Sequence, residues 1–88
     1  MKVLVLSKEH TDYARAVETY LSDFHRQTGY ELEVIDPDSR EGESICRLYD
    51  IVEYPTIIVT SNDGVIQRTW SGTSFPPTGE LAYYVSQE

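Results

Sequence analysis

Cysteine is scarce in this chain of 88 residues, which contains a single one, Cys46. One thiol cannot close an internal disulfide, and it cannot build a zinc site from thiolates. The two histidines, His10 and His25, have no paired spacing that would suit a metal ion. We therefore expect neither a metal nor another cofactor.

Positive charge is also scarce, because 7 basic residues face 15 acidic ones and leave a net charge of −8. Few cations are available to release counterions from phosphates, so nucleic acid is not an expected partner. The same charge disfavours an anionic membrane surface. A solubilising negative surface is the ordinary interpretation of this balance, and a basic partner is the alternative.

Long apolar runs are missing as well. No stretch approaches the roughly 18 residues that a membrane helix needs. The run Val3–Leu6 near the start is too short for the apolar region of a signal peptide. A lone cysteine without an export signal fits a reducing compartment, so we expect a cytoplasmic location. The length predicts one domain, residues 1–88.

Strand and helix patterns alternate in the first half of the chain. Val3–Ser7 is an apolar run typical of a strand covered on both faces. Thr11 and Asp12 can start a helix, and Gly29 can end it. The residues with helical spacing between them are Ala16, Val17, Tyr20, Leu21 and Phe24.

Three further segments and a hairpin follow. Tyr30–Ile35 is predicted as a strand and Glu41–Tyr49 as a helix, whose apolar face is Ile45, Leu48 and Tyr49. Two strands flank the turn Asn62-Asp63-Gly64, and the first of them is preceded by Pro55. A last helix starts near Pro77 and buries Leu81, Tyr84 and Val85.

The predicted order is therefore β-α-β-α-β-β-α. A β-α-β unit makes its two strands parallel, and a tight turn makes the last two antiparallel. The expected fold class is α/β, with a four-stranded mixed sheet between helices on both faces.

Several motifs resemble the thioredoxin-like superfamily across essentially the whole chain. The segment Tyr49–Thr56, with its proline at the mouth of a strand, is similar to the approach to the cis-proline of thioredoxins. Gly64 and Trp70-Ser71-Gly72 resemble that family's hairpin glycine and later glycine, and Val3–Lys8 resembles the first strand of glutaredoxins. The resemblance implies a three-layer α/β/α sandwich and a cis bond before Pro55.

The resemblance also points to a missing catalytic pair. Family members carry Cys-x-x-Cys or Cys-x-x-Ser at the N-terminus of the first helix, where the helix dipole favours a thiolate. The matching positions here are Thr11-Asp12-Tyr13-Ala14. A threonine hydroxyl is not ionised near neutral pH and cannot carry out thiol–disulfide exchange. The sequence therefore favours a domain that is not an oxidoreductase.

A binding or scaffold module is the function that we expect, with an unknown protein or peptide as partner. Exposed tyrosine and tryptophan would suit such a surface, although packing of Tyr13, Tyr54 and Trp70 at the core margin is the alternative. The resemblance places the surface at one edge of the domain. Its predicted residues are His10, Thr11, Asp12, Tyr13, Tyr54, Pro55, Gly72 and Thr73.

Two alternatives stay open. Cys46 is either a small apolar filler or the thiol of a single-cysteine, glutaredoxin-like redox protein. Exposed aromatic residues and a short edge strand would also allow a weak homodimer.

Overall fold

Four strands and three helices follow one another in the computed structural model, which describes residues 1–87. They are β1 (Lys2–Leu6), α1 (Ala14–Thr28), β2 (Glu33–Ile35), α2 (Arg40–Tyr49), β3 (Thr56–Thr60), β4 (Ile66–Ser71) and α3 (Thr78–Val85). The sheet has the order β2-β1-β3-β4. β1 is parallel to β2 and antiparallel to β3, and β3 is antiparallel to β4. The predicted fold class, order and strand directions are confirmed.

The first core cluster lies between the sheet and helices α1 and α3. Alternate residues of a strand point to opposite faces, so Val5, Ile57 and Val59 share this side. They pack against Phe24 of α1 and Leu81 of α3, which are almost completely buried. Burial of a large apolar side chain contributes about 1.5–3 kcal/mol, so this cluster anchors both helices.

The second core cluster lies between the sheet and α2. Leu4, Leu6 and Ile58 point to this side and contact Ile35 and Ile51. α2 adds three partly buried side chains, which are Ile45, Cys46 and Tyr49. The cluster thins out toward β4, which contributes only the partly buried Ile66.

Helix α1 begins later than the sequence predicts. The expected start at Thr11 and Asp12 is wrong, because the Thr11 hydroxyl donates to the Lys8 carbonyl 3.2 Å away instead of capping the helix. The residue before α1 is Tyr13, whose side chain makes no capping bond. The expected end is correct, since Gly29 has φ +78° and closes the helix with a bond to the His25 carbonyl.

Two predicted apolar faces need correction. Ala16 is exposed, and Tyr13 packs on the core in its place because it precedes Val17 by four residues. Leu48 is also exposed, and Cys46 lies against the second cluster instead.

The second strand is shorter than predicted. Only Glu33–Ile35 pairs with β1, where the partner residues are Leu4, Val5 and Leu6. Tyr30 is held outside the sheet, because its backbone N–H donates to the Thr28 hydroxyl just after α1.

The hairpin between β3 and β4 forms as predicted. Gly64 adopts φ +91°, a conformation that favours glycine. The Tyr49 hydroxyl donates to the Gly64 carbonyl at 2.7 Å and ties the end of α2 to this turn. A bulge interrupts the ladder between Val59 and Thr60. Within residues 1–87, no helix has the length and apolar character to cross a membrane.

Candidate functional site

The predicted surface centres on Pro55, at the mouth of β3. The Tyr54–Pro55 peptide bond is cis. The Gly72 N–H donates to the Pro55 carbonyl at 2.8 Å, and Gly72 has φ +76°. The loop after β4 is therefore held against the start of β3, which places Gly72 beside Pro55 as expected.

The loop between β1 and α1 is closed by its own hydrogen bonds. The Lys8 N–H donates to the Tyr13 hydroxyl at 3.3 Å, and the Ala14 N–H donates to the Thr11 carbonyl at 3.2 Å. With the bond from the Thr11 hydroxyl to the Lys8 carbonyl, these contacts form a compact turn. His10 adopts φ +58° at its tip. The Thr11 side chain thus serves the loop, and no sulfur atom is present at position 11 or 14.

Lys8 connects this loop to Tyr54. Its ammonium group lies 5.1 Å from the centroid of the Tyr54 ring and 3.6 Å from an Asp38 carboxylate oxygen. A cation over a tyrosine face is attracted by the ring quadrupole. Sequence reasoning missed Lys8 and Asp38 as site residues. Lys8 is 46 residues from Tyr54 and 30 from Asp38, and contacts between residues so far apart in the chain leave no local sequence pattern.

Tyr54 joins the surface to Cys46. Its hydroxyl lies 3.6 Å from Cys46 Sγ and 3.4 Å from the Ile51 carbonyl. The hydrogen bond to Cys46, followed by burial and neighbouring charges, raises the pKa of Tyr54 to about 12. Tyr54 therefore keeps its proton near neutral pH and remains a donor toward the sulfur. The Tyr54 side chain therefore connects Cys46 to the segment that contains Pro55. Nothing in the sequence indicated this contact.

The remaining predicted residues divide into two groups. His10, Asp12 and Thr73 are exposed. Tyr13 packs on the first core cluster, as does Trp70, whose ring makes an edge contact with Tyr84. Of the three aromatic residues proposed for the surface, Tyr54 alone has its ring beside Lys8.

His10 also lines a cleft. This cleft has a volume of about 330 Å³ and lies between the loop after β1, helix α1 and the exposed Val34 of β2. Its apolar lining includes Val17 and Leu21. Lys8, which contacts Thr11, Tyr13 and Tyr54, lines the same cleft as His10.

Acid–base and metal chemistry find little support in these contacts. Among residues 1–87, no group of three or more His, Cys, Asp or Glu side chains is placed to hold a metal ion. His10 lies 4.0 Å from Glu9 and both are exposed. The arrangement offers a partly buried tyrosine hydroxyl and a partly buried thiol, whereas the Pro55 side chain is fully buried and its carbonyl accepts from Gly72.

Solved structures of similar architecture include thioredoxins. The chain is similar to thioredoxin 1 from Thermosipho africanus, with 15% identity, a TM-score of 0.63 and coverage of 99% of this chain and 92% of that one. Oxidised thioredoxin O2 from Arabidopsis thaliana has 13% identity and a TM-score of 0.64, and the match covers 98% of this chain and 72% of that one. The fold is thioredoxin-like. A cysteine-to-serine mutant of an Entamoeba histolytica thioredoxin has 23% identity and a TM-score of 0.59, and the match covers 99% of this chain and 82% of that one.

Sequence comparison adds no closer relationship. No protein-family model matches the chain, and none of the curated proteins matches it. At these identities the solved structures show the thioredoxin-like fold alone. The residues at the first helix therefore have to be interpreted from their own chemistry.

Proposed function

We propose that this thioredoxin-like domain binds a protein or peptide and does not catalyse thiol–disulfide exchange. The observation that carries the proposal is the occupation of positions 11 and 14 by threonine and alanine. Exchange requires a thiolate that attacks a disulfide sulfur and a second thiol that resolves the mixed disulfide. Neither group is present ahead of α1, and the Thr11 hydroxyl is already engaged by the Lys8 carbonyl.

The proposed binding surface is the edge around Tyr54 and Pro55. A partner segment would meet the half-exposed Tyr54 ring and the nearby loops that carry Asp12 and Thr73. Tyrosine offers a large contact area at low conformational cost and is enriched in interface hot spots. We also propose a cytoplasmic location, since the single cysteine suits a reducing compartment.

Insulin reduction tests the lack of catalysis. The full chain, assayed with dithiothreitol as electron donor, is expected to leave the uncatalysed rate unchanged. A Thr11→Cys/Ala14→Cys variant is the matched control, because it places two thiols at the N-terminus of the same helix. Turnover by the natural chain that disappears in Cys46→Ser would contradict the proposal.

A single-cysteine redox protein is the second candidate, favoured by the contact between Tyr54 and Cys46. In this reaction the Cys46 thiolate attacks oxidised glutathione, one glutathione sulfur joins Sγ, and the other glutathione leaves as a thiolate. A hydroxyl that donates to Sγ would stabilise the attacking thiolate.

Alkylation by iodoacetamide tests this second candidate. Native Cys46 should then be alkylated at neutral pH, and Tyr54→Phe should slow the reaction. Reaction only after unfolding, or an equal rate in Tyr54→Phe, would exclude the candidate.

A further inference from the structure

A second cleft, separate from the Tyr54 ring, runs along β4 on the side of the sheet that faces α2. It has a volume of about 130 Å³. The end of α2 and the segment after it form one wall, and β4 forms the other. Its lining includes Tyr49, Asp50, Val52, Glu53 and Ile66.

An exposed apolar side chain lies in this cleft. Val52 lines it and is 79% exposed, and the partly buried Ile66 lines it from β4. Exposed apolar residues that cluster with polar neighbours are typical of a binding surface.

Both charged residues that line the cleft are acidic. Asp50 and Glu53 line the cleft and are exposed. In the described part of the chain, residues 1–87, neither of them forms an ion pair. A cleft that carries both apolar side chains and free carboxylates is complementary to a segment that carries both apolar and basic side chains.

The backbone of β4 is available on its outer side. β4 is the last strand of the sheet, so alternate residues present N–H and C=O groups that have no strand partner among residues 1–87. Its only cation, Arg68, is directed to the other face, where it pairs with Glu80 at 2.8 Å and lies over Trp70 at 4.9 Å. Charged side chains often prevent another strand from pairing with an edge strand, but Arg68 is engaged by Glu80 and Trp70 on the other face.

The opposite edge of the sheet is a poorer template. β2 has three residues, whereas β4 has six and contains no proline. A longer edge strand offers more hydrogen bonds to an added strand. The β4 edge, defined as β4 together with the adjacent cleft, is therefore the better site for strand addition.

We propose that the β4 edge binds an extended peptide segment of a partner protein as a fifth strand. The segment carries basic and apolar side chains at alternate positions of one face, since residues two apart point to the same side. An apolar side chain packs beside Val52 and Ile66, while lysine or arginine meets Asp50 and Glu53. The Tyr54 ring does not line this cleft, although the lining residues Glu53 and Thr56 flank Tyr54 and Pro55 in the chain.

A second copy of the chain fits this surface less well. A two-fold interface would place the same patch on both copies, so the carboxylates of one would face those of the other. Each copy also carries a net charge of −8. A partner of opposite charge avoids both repulsions.

Fluorescence anisotropy with a labelled peptide, Thr-Lys-Thr-Val-Thr-Lys-Thr, tests the proposal on the full chain. The double variant Asp50→Asn/Glu53→Gln should bind on the order of tenfold more weakly, because two rim charge pairs are lost. Asparagine suits position 50, which has φ +55°. The matched control is Glu31→Gln/Glu33→Gln, which removes the same charge near the β2 edge and should change affinity less than twofold.

Backbone methylation of the probe separates strand addition from simple charge attraction. Methylating one alternate set of peptide amides should abolish binding, and methylating the other set should preserve it, because only one set faces β4. Amide chemical shifts of the natural chain should move at residues 66–71 and 49–53.

Four results would overturn the proposal. They are no binding of the peptide to the natural chain, equal loss in the two double variants, equal effects of the two methylated peptides, and shift changes elsewhere than at the β4 edge. If the peptide does not bind and sedimentation shows a dimer whose shift changes lie at the β4 edge, the edge belongs to a second copy instead.

Discussion

Gly42, in the first turn of α2, occupies a position where no side chain fits. It is buried, and a Cβ there would lie 2.7 Å from the carbonyl carbon of Asp36 and 2.9 Å from Cα of Pro37. Both contacts are backbone atoms, which cannot move aside as a flexible side chain can. α2 is able to pack this closely only because position 42 has no side chain.

Replacing this glycine should therefore destabilise the fold. Gly42→Ala is expected to lower the free energy of unfolding by about 1–3 kcal/mol, the usual cost of forcing an extra carbon into a packed site. Urea denaturation measures the change. Gly79→Ala in α3 is the matched control, since its Cβ would meet nothing within 4 Å. Equal effects of the two substitutions would show that the contact with Asp36 and Pro37 is unimportant.

Sequence reasoning identified single residues well where the signal is local. Gly29 and Gly64 were correctly assigned to a helix end and a turn. Gly42, Lys8 and the contact of Tyr54 with Cys46 were not found. Each depends on atoms brought together by the fold, and helical or strand spacing contains no information about such neighbours.

At the scale of the elements, the two longer helices begin differently. α2 starts at Ser39, whose hydroxyl accepts from the Gly42 N–H at 3.0 Å and donates to the Asp36 carbonyl at 2.6 Å. α1 starts after Tyr13, which supplies no such bond. The first turn of α2 is therefore fixed by a side chain, whereas the start of α1 depends on the loop around Lys8.

Removing the Ser39 hydroxyl should weaken α2 in a measurable way. Ser39→Ala is expected to lower the free energy of unfolding by about 1 kcal/mol, as for other N-cap serines. Thermal unfolding followed by circular dichroism measures this loss. Ser44→Ala, at an exposed position within α2, should be neutral or slightly stabilising because alanine is the better helix former. Destabilisation by both variants to the same degree would contradict a capping role.

The existence and order of all seven elements could be predicted, because apolar periodicity and turn residues are local. Their ends were harder to predict. Thr11 was a good candidate for a cap, but its hydroxyl found a nearer acceptor in Lys8. Tyr30 to Leu32 had the alternation of a strand, but the Tyr30 N–H bonds to the Thr28 hydroxyl at the end of α1, and the ladder to β1 begins only at Glu33.

For the whole molecule, two tyrosines couple stability to alkaline pH. Burial raises the pKa of Tyr20 from 10.0 to about 12, and the bond to Cys46 and burial raise that of Tyr54 to the same value. A raised pKa in the folded state stabilises the fold fully below the unfolded pKa. This contribution is lost as pH rises from about 10 to about 12.

The free energy of unfolding should therefore fall over that pH range. Urea denaturation at several pH values measures the slope, and tyrosinate absorbance near 295 nm follows the ionisation. Tyr20→Phe should give a shallower slope, although it also leaves the Pro76 carbonyl without the hydroxyl that now donates to it at 2.8 Å. Tyr83→Phe, at an exposed position, is the control and should keep the original slope. An unchanged slope in Tyr20→Phe would contradict the assignment.

The fold as a whole was within reach of sequence reasoning, whereas the function was not. A parallel β-α-β unit followed by a hairpin leaves few topologies, and the thioredoxin-like neighbours confirm the one predicted. Because positions 11 and 14 are threonine and alanine, the sequence disfavours thiol chemistry at the first helix, but it contains no motif that identifies a partner. Recognition depends on surface shape and on charges such as Asp50 and Glu53, which only the folded chain brings to one cleft.

The position of β4 at one end of the sheet has a consequence for how the molecule opens. β1 and β3 each have strands on both sides, whereas β4 is held by β3 alone. Thr69 and Ser71 are also exposed on the side facing α2. Like β2 at the opposite edge, β4 is therefore expected to open before the inner strands, and its amide hydrogens should exchange with deuterated solvent before those of β1 and β3.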